Sequence, residues 1–307
     1  LNAEMKNFIK NSAQASAFTR KENWKAGDTL YQPELAATIL RIQQKGKAGF
    51  YEGETAAMIV EEMKNSKGVI SLEDLKKYTP KFRKPIEFDY RGHHVISFAP
   101  PSSGGILIAQ MMQMIASYPV SVMGANTFET VSLMVEAQRR AYADRAEHMG
   151  DPDFWKVPTT SLTSNAYAQD RMKDYQAGVA GNSKMIQAGV AKESEETTHF
   201  SIIDEAGNMV AVSTTLNGGY GNKTIVGGAG FLLNYEMDDF SIKPGVPNMY
   251  GALGGEANAI QPGKRMLSSM TPTIIEKEGK LFMILGTPGG STIITSVLQT
   301  FLNVAEF

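Results

Sequence analysis

The stretch His199-Phe-Ser-Ile-Ile-Asp204, followed by Glu205-Ala-Gly207 and then Asn208-Met-Val-Ala-Val-Ser-Thr-Thr215, predicts two β-strands joined by a short hairpin turn. Segments rich in Val, Ile, Thr and Phe that are bounded by Gly and Asn are typical of strands. A second hairpin is predicted over residues 273–285, with its turn at Glu278-Gly279-Lys280. The part of the chain after residue 199 is therefore rich in strands.

Residues 32–150, in contrast, have a mainly helical pattern. Leu35, Ile39 and Ile42 recur at helical spacing. Farther along, Ser71-Leu-Glu-Asp74 stands before a leucine and has the form of a capping box. A layer of helices is the natural prediction for this half.

Three further segments complete the layout. Val95-Ile-Ser-Phe98 predicts a strand that leads into an apolar run from Ile106 to Ile115, and Thr127 is placed to cap a helix that reaches Ala146. Helix returns near Ile293 to Val304. Helices, then strands, then a helix predict an α+β layered fold and argue against an alternating parallel one.

Composition excludes several classes of function. The 307 residues carry 30 Lys+Arg and 32 Asp+Glu, and the basic residues are scattered, which argues against a nucleic-acid partner. Cysteine is absent, so thiol catalysis and disulfides are excluded. The four histidines have no metal-ligand spacing, so neither a metal nor another cofactor is predicted. The sequence contains no run of about 18 apolar residues, so no membrane span is predicted. From its first residues, the chain is expected to be an internal piece of a longer protein.

The glycine-rich segments do not have the spacing of nucleotide-binding loops. Gly218-Gly-Tyr-Gly221 and Gly227-Gly-Ala-Gly230 lack the dinucleotide fingerprint, and Gly286-Thr-Pro-Gly-Gly-Ser291 lacks the P-loop lysine. No G-x-S-x-G elbow is present either. Hydroxyl, amide and carboxyl side chains of the strand-rich half remain, and by composition alone most such residues are caps, turns or solvated strand faces.

Five ordered motifs in this half resemble the small subunit of gamma-glutamyltranspeptidases. They are Thr197-Thr-His-Phe-Ser201, Asn234-Tyr-Glu-Met-Asp-Asp-Phe240, Lys243-Pro-Gly-Val-Pro-Asn248, Gly263-Lys-Arg-Met-Leu-Ser-Ser-Met-Thr-Pro272 and Thr287-Pro-Gly-Gly-Ser291. Three upstream motifs are similar to the large subunit, namely Pro100-Pro-Ser-Ser-Gly-Gly105, Ala141-Tyr-Ala-Asp-Arg145 and Gly150-Asp-Pro-Asp-Phe154. The resemblance implies that residues 1–196 are the end of a large subunit, closing in a polar linker, and that 197–307 begin a small one.

The resemblance also implies a four-layer αββα sandwich of the N-terminal-nucleophile hydrolase type. Members of this family become active when the precursor cuts itself before a threonine, which here is cleavage between Glu196 and Thr197. The physical logic is that a threonine hydroxyl is a poor nucleophile until a base takes its proton, and the freed α-amine has a pKa near about 8. One residue then supplies both nucleophile and base.

Further roles follow from the resemblance residue by residue. Thr215 is expected to hydrogen-bond and orient the Thr197 hydroxyl. Carboxylates suit an ammonium, serine hydroxyls suit a carboxylate, and glycine N–H groups can approach a developing oxyanion closely. The expected contacts are Asn217, Glu236 and Asp239 with the α-amino group, Ser268 and Ser269 with the α-carboxylate, Gly289 and Gly290 in the oxyanion hole, and Tyr250 in a lid loop from Ser241 to Lys264. Asp238 is assigned a structural role.

The implied reaction is transfer of a γ-glutamyl group from glutathione or a similar donor to an amino acid, a peptide or water. A heterodimer of the two cleavage products in the periplasm or outside the cell is expected by family analogy. The sequence departs from the family pattern at Met266, where many relatives have proline. The family's carboxylate-clamping arginine is expected upstream of Leu1, and no arginine of this chain is assigned that role.

Two other functions stay open at this point. One is an acylase of the same fold that acts on another amide, such as a glutaryl β-lactam. The pair Glu236 and Asp239 argues against it, because a glutaryl group carries no α-amine. The other is a non-catalytic exported binding protein in which the threonine and glycine motifs are only structural.

Overall fold

A computed structural model of the chain describes residues 1–181, 197–241, 243, 246 and 254–307. The chain forms two compact units, and each unit combines residues from both halves of the sequence. The first comprises Leu1–Phe82 and Leu216–Tyr235, and the second comprises Arg83–Thr215 and Glu236–Phe307.

The first unit is helical. Its helices are α1 Met5–Asn11, α2 Pro33–Lys45, α3 Ala48–Tyr51, α4 Gly53–Ser66 and α5 Leu72–Lys77. The predicted capping box is confirmed at the start of α5, where the Ser71 side chain accepts from the Asp74 N–H at 3.2 Å and the Asp74 carboxylate accepts from the Ser71 N–H at 2.8 Å. Two small apolar clusters, one around Ile59 and Val226 and one around Phe8 and Ile225, form its core.

Helix α2 is present as predicted, but its apolar stripe is not buried within its unit. Ile39 is 57% exposed and Ile42 is 38% exposed. The buried residue of this helix is Thr38, whose hydroxyl donates to the carbonyl oxygen of Ala229 at 2.8 Å. Helical spacing therefore predicted the element, while a polar contact sets which side of α2 packs inward.

The second unit contains two antiparallel sheets. The strands are β1 Ile86–Tyr90, β2 His93–Ser97, β3 Thr197–Ile203, β4 Met209–Thr215, β5 Thr273–Lys277 and β6 Lys280–Leu285. Four of them form a sheet in the order β1-β2-β5-β6, and β3 pairs with β4 in a separate hairpin. Both predicted hairpins and the strand near Val95 are confirmed. Strand β1 lies within residues 32–150 and was not predicted.

The helices of this unit are α6 Gly104–Ile115, α7 Val120–Met123, α8 Phe128–His148, α9 Thr159–Leu162, α10 Asn165–Met172 and α11 Thr292–Ala305. Helix α6 is buried along almost its whole length and packs against α8, α10, α11 and β1. Thr127 caps α8 as predicted, its hydroxyl accepting from the Thr130 N–H. Helices and antiparallel sheets together confirm the α+β class, and no described helix is both long and apolar enough to cross a membrane.

The turn Pro100–Gly105 and the strand-like segment Ser268–Met270 interlock through hydrogen bonds at the start of α6. The Ser103 N–H donates to the Ser268 carbonyl at 2.9 Å, and the Ser268 N–H donates to the Pro101 carbonyl at 2.9 Å. The buried Ser102 hydroxyl donates to the Met270 carbonyl at 2.6 Å. A Cβ added to Gly104 would lie 2.3 Å from Thr271 Oγ1, so only glycine fits.

Gly104→Ala is expected to lower the free energy of unfolding by about 3 kcal/mol, because the added methyl group forces the two segments apart in a close-packed region. The measurement is chemical unfolding of the full-length protein. Gly279→Ala is the matched control, since Gly279 has a positive φ but nothing within 4 Å of an added Cβ. Its cost is left-handed backbone strain alone, about 1 kcal/mol. Equal losses in the two variants would contradict the close-approach explanation.

Candidate active site

Thr197 is the first residue of β3 and lies directly across from Thr215, the last residue of β4. Side chains on directly opposed residues of an antiparallel pair share one face of the sheet and lie about 4.5–5.5 Å apart at Cβ. At the start of β3, Thr197 is partly buried and Thr198 is exposed. The register thus brings together the two threonines that the motif comparison singled out.

The glycine loop, residues Gly286–Ser291 before α11, lies next to the β3–β4 hairpin. His199 follows Thr197 on the same face of β3, and its ring packs so closely on Gly286 that an added Cβ would lie 2.0 Å from it. His199 Nδ1 is 2.8 Å from Ser213 Oγ, and burial lowers the pKa of this imidazole. The loop that carries the candidate oxyanion-hole glycines therefore begins beside β3.

Gly289 and Gly290 have backbone conformations that suit glycine. Both have positive φ, and a Cβ on Gly289 would lie 2.7 Å from Thr292 Oγ1. The Thr292 hydroxyl and N–H both donate to the Gly289 carbonyl, at 2.7 and 3.0 Å. These bonds engage the carbonyl at the helix start and hold the loop in one conformation.

Ser268 and Ser269 lie on the segment that interlocks with the Pro100-Pro-Ser-Ser-Gly-Gly105 turn. The segment is also held at Arg265, whose N–H donates at 2.8 Å to the carboxylate of the fully buried Asp151. Ser268 Oγ accepts from the Met270 N–H at 3.1 Å. The two serines are therefore fixed from both sides along the chain.

Glu236 and Asp239 lie on one 3₁₀ turn, Glu236–Asp239. Burial, and then the nearby charge of Asp239, raise the pKa of the Glu236 carboxyl to about 8. Two carboxyl groups this close repel one another when both are ionised. A cation placed between them would relieve that repulsion.

Asn258 connects the carboxylate turn with the serine segment. Its side-chain amide donates to the Asp239 carbonyl at 2.6 Å and accepts from the Leu267 N–H at 3.0 Å. The residue is buried, at 4% exposure. Through Asn258 the two groups of predicted substrate contacts are joined by direct hydrogen bonds.

Helix α8 carries two residues that contact the site segments. The Tyr142 hydroxyl donates to the Ser291 carbonyl, at the end of the glycine loop. One turn later, the Arg145 guanidinium donates to Ser103 Oγ at 2.9 Å and to Ser269 Oγ at 3.1 Å. Burial lowers the pKa of Arg145, while Tyr142 and Asp239 act against that shift. One helix thus supports both the glycine loop and the serine pair.

The remaining predicted site residues are Asn217, Glu196 and Tyr250. Asn217 belongs to the first unit, where its side chain donates to the Tyr235 carbonyl at 3.1 Å. Glu196 and Tyr250 lie outside the described residues, as do residues 242, 244, 245 and 247–253 of the predicted lid. Within the described ranges, no group of three or more acidic or histidine side chains is arranged to hold a metal ion.

Sequence reasoning assigned no role to Tyr142, Arg145, His199 or Asn258. The first three lie in motifs that carry the resemblance, so the motifs marked their positions without indicating their contacts. Asn258 lies in no such motif. In the sequence Asn258 is only a polar residue within the predicted lid segment. Its burial in the structure is what distinguishes it from a surface asparagine.

Curated proteins with similar sequences are glutathione hydrolase proenzymes. The chain is 46% identical over 305 residues to a glutathione hydrolase proenzyme of Pseudomonas sp. (strain A14), covering 98% of this chain and 53% of that protein. It is 45% identical over 298 residues to the glutathione hydrolase proenzyme of Escherichia coli (strain K12), covering 96% and 51%. The chain therefore spans about half the length of these curated relatives.

A solved structure shares the fold over the whole chain. The cephalosporin acylase from Bacillus halodurans superposes with a TM-score of 0.79 at 21% identity, covering 100% of this chain and 54% of the acylase. The profile of the family described as gamma-glutamyltranspeptidase matches residues 1–307. A match over all 307 residues, together with two relatives above 40% identity, establishes that this chain belongs to the gamma-glutamyltranspeptidase family.

Proposed function

We propose that the chain is part of a γ-glutamyl transferase and hydrolase, activated when the precursor cleaves itself between Glu196 and Thr197. The observation that carries the proposal is the register of the β3–β4 hairpin, in which Thr215 pairs with Thr197 at the open end beside the glycine loop. The names of the relatives, glutathione hydrolase proenzyme, support both the reaction and a precursor.

In the proposed reaction the α-amine freed at Thr197 takes the proton of its own hydroxyl, with Thr215 orienting that hydroxyl. The oxygen attacks the γ-amide carbonyl of glutathione or another γ-glutamyl compound. N–H groups at Gly289 and Gly290 stabilise the oxyanion. The Thr197 ammonium gives this proton to the amide nitrogen of the donor, the C–N bond breaks and releases the donor's amine, and a γ-glutamyl ester remains on Thr197. Water then releases glutamate, or an amino acid or peptide takes the γ-glutamyl group.

The proposed specificity rests on the two groups of opposite charge on the substrate's α-carbon, its ammonium and its carboxylate. Glu236 and Asp239, with Asn217, would bind the α-ammonium, and the hydroxyls of Ser268 and Ser269 would bind the α-carboxylate. The hydrogen bonds of Asn258 to both segments support a fixed spacing between the two sets of groups. Tyr250 is proposed as the lid residue over this pocket.

We assign residues 1–196 to the large subunit and 197–307 to the small subunit of the mature enzyme. Cleavage at Thr197 would leave β2 on one product and β5 on the other, although these two strands pair along their whole length. Helices α6 and α11, also on different products, share one core. Those contacts support a heterodimer of the cleavage products. The four-layer αββα sandwich is proposed for the complete enzyme from the family resemblance alone. A periplasmic or extracellular location is proposed by family analogy alone.

An acylase reaction is the second candidate, because the chain shares its fold with a cephalosporin acylase. That likeness, at 21% identity, concerns the fold. The paired carboxyl groups of Glu236 and Asp239 favour a donor with an α-ammonium, which a glutaryl group lacks. A glutaryl amide is therefore the discriminating substrate. A non-catalytic binding protein is excluded if the first of the two experiments below finds cleavage and turnover.

Thr197→Ala in the complete reading frame is expected to leave the precursor uncut and inactive, because the variant has no hydroxyl to attack. The measurements are a denaturing gel, N-terminal sequencing and release from a chromogenic γ-glutamyl anilide. Thr198→Ala is the matched control, since Thr198 is exposed on the opposite face of β3. It is expected to cut at Thr197 and to turn over normally. Cutting in Thr197→Ala, or an uncut and inactive wild type, would refute the proposal.

Affinity for L-glutamate as a competitive inhibitor is expected to rise with pH from about 6 to 8, by up to about tenfold per pH unit, and then to level off. The sign follows from the pKa of Glu236, about 8. Below it the carboxyl is protonated and must lose its proton to pair with the ammonium. Glu236→Gln is expected to abolish this rise, whereas Asp238→Asn, on the same turn, is expected to keep it. The same pH profile in Glu236→Gln would show that Glu236 does not bind the ammonium.

A further inference from the structure

Arg145 is a buried guanidinium, at 7% exposure, whose hydrogen bonds within the described residues go to two serine hydroxyls. Arg140, on the same helix, is equally buried but pairs with the carboxylates of Glu136 and Asp174 at 2.6 and 2.7 Å. Among the described residues Arg145 forms no ion pair of this kind. Asp239 attracts it electrostatically from outside ion-pair distance.

A buried charge without a close counter-charge destabilises a protein, and neutral hydroxyls satisfy the hydrogen bonds of a guanidinium without neutralising it. Arginine does not lose its proton in proteins. The positive charge therefore stays next to Ser269. An anion bound at Ser269 would supply the counter-charge that the surrounding side chains supply only at a distance.

The guanidinium also fixes the direction of the serine hydrogen bonds. It has donors only, so Ser269 Oγ must accept from it and directs its own O–H elsewhere. Ser103 Oγ accepts from the Arg145 Nε in the same way and donates to the Ser268 carbonyl at 2.9 Å. Ser268 Oγ already accepts from the Met270 N–H. Both serines of the predicted pair thus use lone pairs within the protein and keep a hydroxyl proton to donate.

We propose that Arg145 is a positioning residue for carboxylate recognition: it orients the Ser269 hydroxyl as a donor and supplies the positive field that favours an anion there. The inference rests on the proposed function, because the anion is the α-carboxylate of the γ-glutamyl donor. Arg145 acts through Ser269, which distinguishes it from an arginine that clamps the carboxylate directly. Its effect is therefore on donor binding and on selection for the carboxylate.

The test compares two anilides in the full-length, processed enzyme: the L-γ-glutamyl anilide and the 4-aminobutyryl anilide, which is the same donor without the α-carboxylate. Arg145→Gln is expected to raise KM for the γ-glutamyl anilide about ten- to a hundredfold and to change kcat less than threefold. For the 4-aminobutyryl anilide kcat/KM is expected to stay within twofold of wild type. The preference for the carboxylate donor therefore falls.

Arg140→Gln is the matched control, because it also removes a buried arginine from α8, at 4% exposure, but away from the serine pair. It is expected to keep the wild-type preference between the two donors. A purely structural role of Arg145 predicts an equal loss on both donors, or a loss of stability and processing shared with Arg140→Gln.

Two further variants decide the matter if Arg145→Gln is not processed. Arg145→Lys keeps the charge without the two-pronged geometry, and Ser103→Ala removes the acceptor of Nε. Each is expected to raise KM several-fold for the γ-glutamyl anilide alone. Unchanged donor preference in every processed variant, with an active wild type, overturns this inference and leaves the proposed function standing. An uncut wild type without turnover overturns both.

Discussion

The interlock between the turn at Pro100–Gly105 and the segment at Ser268–Met270 is the constraint on which the second unit depends. Backbone bonds run in both directions across it, at 2.9 Å each, and the close approach of Gly104 to Thr271 leaves no room for a side chain. Helix α6, which is buried along almost its whole length, begins at one side of the interlock, and β5 begins shortly after the other side. Core, sheet and serine pair therefore share one anchor.

Helix α8 is hydrogen-bonded both to this interlock and to the glycine loop of the candidate site. Its Tyr142 and Arg145 project from adjacent turns to the Ser291 carbonyl and to the serine hydroxyls. A site built on a packed helix is held more firmly than one built on loops alone. The loops that carry the glycines and serines are thus supported by a rigid element.

Charge is arranged in opposite senses on the two sides of this region. The buried guanidinium of Arg145 lies at the serine pair, and the carboxyl groups of Glu236 and Asp239 lie on the neighbouring turn that Asn258 links to it. Separated positive and negative groups complement a zwitterionic α-amino acid end better than they complement a singly charged ligand. The raised pKa of Glu236 reflects its burial and the nearby negative charge of Asp239.

Local patterns were sufficient for the elements that neighbouring residues decide: the Ser71 capping box, the Thr127 cap and the two hairpins were all predicted, and motif resemblance indicated the family. Pairing between distant segments was not predictable in this way. Strand β1 and the alignment of β2 with β5, about 180 residues away, depend on packing that no local periodicity records. The same reason explains the exposed stripe of α2 and the roles of Arg145 and Asn258. The sequence by itself determined which residues are available for the chemistry, whereas only tertiary structure decided which of them meet, because hydrogen bonds and burial depend on distances in space.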